Sequence, residues 1–585
     1  MTVQTTATPA ELQARADVSA ERLQEHLNHF STLFRDSGSE DERKAAAYIA
    51  EKLTEYGVQT HTYEFKSLIS WPLEGKLELL NEDGTVAESI TCRTRAFGMQ
   101  TPEGGYTGEL VFVPFAPPAK GEMIFTHREV GTDYSGIDVR GKIVITADGG
   151  PDGIRRAQEN GAAGHIHIWP SDEPVVHEMI GTSVWGTPTP ASEKRRPNIP
   201  VLGVSNADGE RVAEMVKNGK VTVRIESNVK TEWMVVPLVT GFIPGPKSDD
   251  YLLVGAHIDS WYEGITDNAT GDAALIEMAR VLNIHRDTLT RGVRFAWWPG
   301  HSTGRYSGST WFADHQFGEL REHAVGFLMI DSPGVRETEL WDCRYNMGEV
   351  EHITRTSVEE ITGQHADVRR PLKAGDESFL GVGLPSLGAF PMLPLDHPDR
   401  KAVGGGGGAY WWHTPEDTLD KADANNLAVD TTVYIAMTYR MCEPELIPYN
   451  FIPSANDFIT ELTAFQEVGG EHVDLTGTIA LAERYRAAAE KLAGSSVADL
   501  DARNALLKKV AHQVNPALFT IDGPFEFDPA LQLPILPGLS PVKKLATLPA
   551  DSDDYFFLQT AMVRQRNRIE AALLEASEMI ENHLG

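Results

Sequence analysis

The stretch AHIDSWYEGITDNATG, residues 256–271, carries two candidate metal donors, His257 and Asp267, at the ends of one loop. His257 and Asp259 close the apolar run YLLVGAH, and Asp267 stands just before a helical pattern. Two further candidates follow. Asp331 ends the run FLMIDSPG, and His413 lies in YWWHTPEDT, where a helix is expected to start. Imidazole and carboxylate donors converging from different loops suit a hard or borderline divalent cation. Asp259 is a candidate to hold the His257 imidazole in its ligating tautomer. Taken singly, each of these residues reads more simply as a polar side chain at a strand end, capping, pairing or facing water. Together they read differently, because acids directly after apolar strands need partners near the sheet edge, and a shared cation supplies one.

The elements that must position these residues alternate clearly over 250–335: YLLVGAH as strand, NATGDAALIEMARVL as helix, VRFAWWPG as strand, SGSTWFADHQF as helix, AVGFLMIDS as strand. Short, continuous apolar strands suit a parallel sheet covered on both faces. The βαβαβ order predicts an α/β sandwich with polar residues gathered at the strand C-terminal ends. A further helix is expected within 415–445. Upstream, 19–57 reads as two helices split by RDSGSEDE, with Ser39 and Glu42 at capping-box spacing and Gly57 as the stop. Between about 75 and 240 the texture changes to short strands with Gly and Pro turns, as in DVRGKIVITAD and NIPVLGVSNADGERVAEMVKNG, which predicts an inserted mixed domain. From about 456 the chain reads as mostly helical, around the Pro-rich FDPALQLPILPGLSP. The glycine run 404–408 is expected to be a flexible loop just upstream of His413.

The segment GAHIDSWYEGITDNATGDAALIEMARVL resembles the metal-binding segment of zinc peptidases of the glutamate carboxypeptidase II and transferrin receptor type. Other landmarks resemble that group in the same order: RDSGSEDERKAAAYIAEKL, DVRGKIVI and NIPVLGVSNADG of a protease-associated domain, MIDSPG, GDESFLGVGLPS, WWHTPEDTL and VNPALFTIDGPF. The resemblance implies a zinc-exopeptidase-like α/β sandwich with an inserted protease-associated β/α domain and a C-terminal helical domain. The corresponding ranges are 1–75 and 246–455 for the peptidase part, 76–245 for the insert and 456–585 for a helical region like the family's dimerisation region. It implies zinc, or another divalent transition metal, as one or two ions. His257, Asp267 and Asp331 would hold one ion. The bridging Asp267 with His413 would hold the second, together with a glutamate, and a preceding glutamate would serve as general base.

At that Glu-Glu pair the chain departs from the family, reading FAWWPGHSTGRYSGS with His301 and Ser302 in their place. Three readings of His301 stay open: a replacement base, since an imidazole titrates near neutrality; a metal ligand in a rearranged site; or a residue of an inactive scaffold of the transferrin receptor kind. With His301, Asp259 is carried as a catalytic candidate. Arg305 is a candidate clamp for a substrate carboxylate, Trp298 and Tyr410 are candidate pocket walls beside Trp297, Trp411 and Trp412, and Glu377, next to Asp376, is a candidate specificity residue. The expected function is metal-dependent hydrolysis of a peptide or small amide by a homodimer. The alternatives are a mononuclear metalloenzyme using His301 as acid/base, and a binding protein without catalysis.

Composition bounds these readings. The 585 residues exceed what one core serves. Three widely spaced cysteines, Cys92, Cys343 and Cys442, argue against a disulfide framework or a cysteine zinc cluster. The net charge of −32 repels phosphate backbones, so nucleic acid is an unexpected partner. The opening MTVQTTATPAELQARADVSAERLQ has no apolar core of a secretory signal and no run is long enough to span a membrane, so a cytoplasmic location is the expectation.

Overall fold

The computed structural model describes residues 6–115 and 133–585. Residues 1–5 of the opening stretch and 116–132 of the expected insert lie outside it. The described chain is a mixed α/β structure with a sheet of 12 strands and a helical C-terminal region. At the heart of the sheet lie four parallel strands in the order Ser386–Gly388, Ala324–Met329, Tyr251–His257, Gly292–Trp298. Every residue of Tyr251–His257 and Ala324–Met329 is buried. That is why these strands read as unbroken apolar runs: helices cover both faces. Trp297 and Trp298 make the point, since successive strand residues face opposite ways. Trp297 packs with Val254, Leu275 and Leu282 under the helices Thr270–Ile284 and Ala424–Cys442. Trp298 packs with Phe312, Phe327 and Phe379 on the other face.

The helix Glu40–Glu55 forms as its caps predict. Ser39 Oγ accepts from Glu42 N at 3.1 Å, and Gly57 leaves the helix at φ 75°. The C-terminal region is built from the helices Ile452–Gly469, Thr476–Gly494, Leu500–Phe519 and Asp553–Leu584.

Two very long strands, Gln59–Leu80 and Val221–Ile243, pair antiparallel from Gln59↔Phe242 to Leu80↔Thr222. The first runs through the expected boundary at 75/76. The second pairs with Gly292–Trp298 at one end and with Tyr106–Phe112 at the other. Beyond it the parallel strands Tyr106–Phe112, Ile143–Thr146, Gly164–Ile168 and Val201–Val204 extend the same sheet. Along Val221–Ile243 burial alternates at first and becomes continuous in the second half. One strand therefore changes from half-buried to doubly covered within its own length, and no single periodicity marks it. The three cysteines are buried and free. Among the described residues no helix is long and apolar enough to cross a membrane.

Candidate metal centre

The strand Tyr251–His257 delivers His257 to its C-terminal end, and the loop that follows returns Asp267 to it. Asp267 Oδ1 lies 3.1 Å from His257 Nε2 and its Oδ2 lies 3.2 Å from His413 Nε2. One carboxylate thus spans two imidazoles. Asp331, just past the strand Ala324–Met329, places Oδ1 3.9 Å from His257 Nε2. Donor atoms of His257, Asp267 and Asp331 all lie within 4.8 Å of one another.

Each donor is fixed from behind. His257 Nδ1 sits 2.8 Å from the Asp259 carbonyl and His413 Nδ1 2.9 Å from the Glu178 carbonyl, so a neutral ring at either position donates from Nδ1 and turns a lone pair on Nε2 to the cluster. Asp417 accepts from Thr266 N, Thr266 Oγ1 and Asp267 N, which pins the loop. Ser332 Oγ donates to Asp331 Oδ1 and accepts from Gly406 N.

The glycine run therefore does not form the flexible loop expected of it. Gly406, Gly407 and Gly408 are buried at φ 58°, 67° and 80°, and an added Cβ at Gly408 would meet Arg400 Nη1 at 2.5 Å. The glycines serve close packing and left-handed backbone. His413 also differs from expectation. It occupies a turn, at φ 59°, rather than a helix start, stacked on Trp412 at 3.5 Å.

Electrostatics mark the cluster as short of positive charge. Burial opposes a charge on His257, but the hydrogen bond and field of Asp267, with Asp331 and Asp259 behind it, hold its pKa well above the usual range. Burial and the Asp267 charge push Asp331 up. For Asp267 burial again acts upward, and the two imidazoles outweigh it and keep the carboxylate ionised. Two carboxylates share this buried corner, where the Asp267 field holds His257 toward its charged form while burial lowers the His413 pKa, and a divalent ion fits that donor chemistry.

His301 adjoins the donors. Its ring stacks on His257 at 3.7 Å between centroids, 12° from parallel, and its Nδ1 lies 2.8 Å from Asp376 Oδ2. Ser309 Oγ donates to the other oxygen of Asp376 at 2.7 Å. Asp259 lies behind this turn, fully buried, where its carboxylate accepts from His301 N, Ser302 N and Ser37 Oγ. It is placed to hold the 301–302 backbone rather than to meet a substrate. A cleft of about 580 Å³ is lined by Asp267, His301, Ser302, Arg305, Asp331 and His413 among others.

Three expected substrate contacts do not reach that cleft. Trp298 is fully buried in the core, where a flat apolar surface packs best. The Tyr410 hydroxyl donates outward to Glu416. Glu377 is buried behind, accepting from Ser386 Oγ, and burial pushes its pKa to about 8. Sequence reasoning in turn missed Tyr306, whose ring meets His301 edge-on at 4.9 Å. It also missed Glu178, which comes from the expected insert and leaves no local signal.

Comparison with known proteins returns the kind of relative that the sequence resembles. Residues 239–438 match peptidase family M28. The chain is 24% identical over 340 residues to a probable glutamate carboxypeptidase VP8 of Zea mays, covering 49% of this chain and 46% of that one. It is 25% identical over 320 residues to leucine aminopeptidase 2 of Arthroderma otae, covering 51% and 62%. The chain thus spans about half the length of the curated relatives it matches. In fold it is similar to an aminopeptidase from Aneurinibacillus sp. strain AM-1, with a TM-score of 0.56 at 20% identity over 74% of this chain and 96% of the other. BSAP, a zinc aminopeptidase from Bacillus subtilis, gives a TM-score of 0.54 at 19% identity, over 73% and 96%.

Proposed function

We propose that this protein is a metal-dependent hydrolase cleaving a peptide or related amide bond, with His301 as general base in place of the family's glutamate. The observation that carries the reading is Asp267, with one oxygen toward His257 and the other toward His413. His257, Asp267 and Asp331 would hold a divalent cation, which would supply Lewis acidity for amide hydrolysis. The chain's own residues do the rest. Asp376 holds His301 Nδ1, leaving Nε2 as the nitrogen that accepts a proton and returns it to the leaving amine. Asp259 keeps the His301–Ser302 turn in register with the donors.

The dinuclear and mononuclear forms of this reading differ at Ser302. It is buried in the cleft wall, and a neutral hydroxyl is a weaker donor than the carboxylate of the family pattern. That weaker donor favours a single ion, held by His257, Asp267 and Asp331. Zinc is the proposed metal. The test is a screen of peptides, N-acyl amino acids and small amides, run with the protein as purified and after chelation. Hydrolysis that disappears on chelation and returns with added zinc is the expected result. An unchanged rate in the chelated protein overturns it, and so does a metal-loaded protein that cleaves no amide.

The C-terminal helices, including AALLEASEMI, resemble the family's dimerisation region, and we propose a symmetric homodimer through them. Phe556 and Phe557, 51% and 70% exposed at the start of Asp553–Leu584, support an apolar contact there. Light scattering at micromolar concentration is expected to give twice 64.3 kDa; a mass near 64.3 kDa refutes the dimer.

A further inference from the structure

Behind His301 runs a line of hydrogen bonds that begins in a different part of the chain. Asp376 Oδ2 lies 2.8 Å from His301 Nδ1, and its other oxygen accepts from Ser309 Oγ at 2.7 Å. Ser309 Oγ lies 2.8 Å from Ser378 Oγ, which accepts from the Trp185 indole Nε1 at 2.9 Å. Trp185, Ser309, Asp376 and Ser378 are all buried. Trp185 comes from the expected insert, Ser309 from the helix Ser307–His315, and Asp376 and Ser378 from the turns ahead of the strand Ser386–Gly388.

Donor and acceptor capacity sets the direction of the whole line. An indole N–H only donates, and an ionised carboxylate only accepts. Ser378 Oγ therefore receives the Trp185 hydrogen and gives its own to Ser309 Oγ, and Ser309 gives its own to Asp376. The Tyr306 carbonyl is also within reach of Ser309 Oγ, but at 3.2 Å and without a charge it competes poorly with the carboxylate at 2.7 Å. With both ends fixed, neither serine turns its hydroxyl over without losing a buried hydrogen bond. Ser309 thus fixes one oxygen of Asp376 and leaves the other aimed at His301.

Trp185 is itself held closely. Gly186, which follows it, has φ 68°, and a Cβ there would meet Thr310 Oγ1 at 2.1 Å, so this turn lies directly on the helix Ser307–His315. Gly186 N donates to the Arg305 carbonyl. The Trp185 ring packs against Tyr306 at 5.0 Å, and Tyr306 meets His301 edge-on at 4.9 Å. The indole therefore reaches His301 by two routes, one through hydrogen bonds and one through a ring. Apolar groups of the same shape in place of both partners of a buried hydrogen bond leave stability nearly unchanged. What the polar line adds beyond packing is direction.

Deepening the hydrolase reading and resting on it, we infer that Trp185, Ser378 and Ser309 are positioning residues that act through Asp376 to hold His301 with its hydrogen on Nδ1 and Nε2 bare. No proton passes along the line; it fixes a carboxylate, and the carboxylate fixes a ring. The same segment that lends the Glu178 carbonyl to His413 Nδ1 then also sets the proposed base.

Three variants each break one link: Ser309→Ala, Ser378→Ala and Trp185→Phe, the last keeping an aromatic ring against Tyr306. With an amide that the screen identifies, kcat is expected to fall ~10–100-fold in Ser309→Ala and by less in the other two, with KM and metal content unchanged. If Ser309 acts through Asp376, adding Ser309→Ala to Asp376→Asn should lower kcat by no more than about 2-fold further. A second readout needs no turnover. In the metal-loaded protein with 15N-labelled histidine, the signals of His301 are assigned by their loss in His301→Ala. The neutral ring is expected as one tautomer, protonated at Nδ1, in the unaltered protein and as a mixture of both in Ser309→Ala. Unchanged kcat in a folded Ser309→Ala would overturn the inference, and so would a full additional loss in the Asp376→Asn background. An unmoved tautomer with only a lower melting temperature would reduce the line to packing. If no amide is cleaved, the hydrolase reading fails in the screen, while the tautomer still decides whether the line holds the ring.

Discussion

Replacing Asp267 by alanine is expected to strip the protein of most of its bound transition metal and to abolish turnover, while leaving the fold in place. Among the described residues Asp267 is the one side chain that reaches both imidazoles, so its loss removes the carboxylate shared by His257 and His413. Changing a residue that merely orients a metal ligand costs about 10–100-fold in affinity. Losing the shared ligand itself is expected to cost more than ~10²-fold. His257→Ala should behave alike. The sheet should survive both changes. Tyr251–His257 is held by parallel neighbours on either side, and the helix Thr270–Ile284 packs its own apolar residues against the core. Metal content by mass spectrometry and helicity by circular dichroism separate the two effects. Full metal content in both variants would remove the assignment.

How much of this was legible in the sequence follows from where each signal resides. The parallel strands could be read because double burial makes them uniformly apolar, and the polar residue ending each run then stands out, as His257 and Asp331 do. Asp267 was legible because a helical pattern begins at once behind it. The long strands Gln59–Leu80 and Val221–Ile243 were not. Their surroundings change along their length, and the residues that pair are far apart in sequence. His413 was legible as a candidate donor, but not its left-handed turn in place of a helix start, because that turn is set by contacts with Glu178, which no local pattern reports. The glycine run misled for a related reason. Out of context glycine means freedom, whereas here Trp412 and Arg400 occupy the space where side chains would stand. Trp298 looked like a pocket wall from its closeness in sequence to His301, yet strand alternation turns it into the core. Asp376 lies in the quoted GDESF motif, but its pairing with His301 required the fold.

His301→Ala is expected to lower turnover by ~10²–10⁴-fold while leaving metal content intact, the range for removing a general base. The geometry gives the reason for the second clause. The three donors that converge are His257, Asp267 and Asp331, while His301 commits Nδ1 to Asp376 and lies flat against His257. Removing it opens a gap beside the cluster without removing a donor from it. Asp376→Asn leaves the imidazole in place but takes away the acceptor that fixes its orientation, so its turnover should fall between that of the unaltered protein and His301→Ala, again with full metal content. A ligand role predicts another pattern, in which metal and activity leave together in His301→Ala. A purely packing role predicts a third, in which the stability of the stacked pair changes and turnover does not. Metal content, steady-state rates on whichever amide the screen identifies, and thermal melting of both variants distinguish the three. Activity that survives His301→Ala unchanged would mean that the proton is carried elsewhere, and the proposed role of His301 as base would fall.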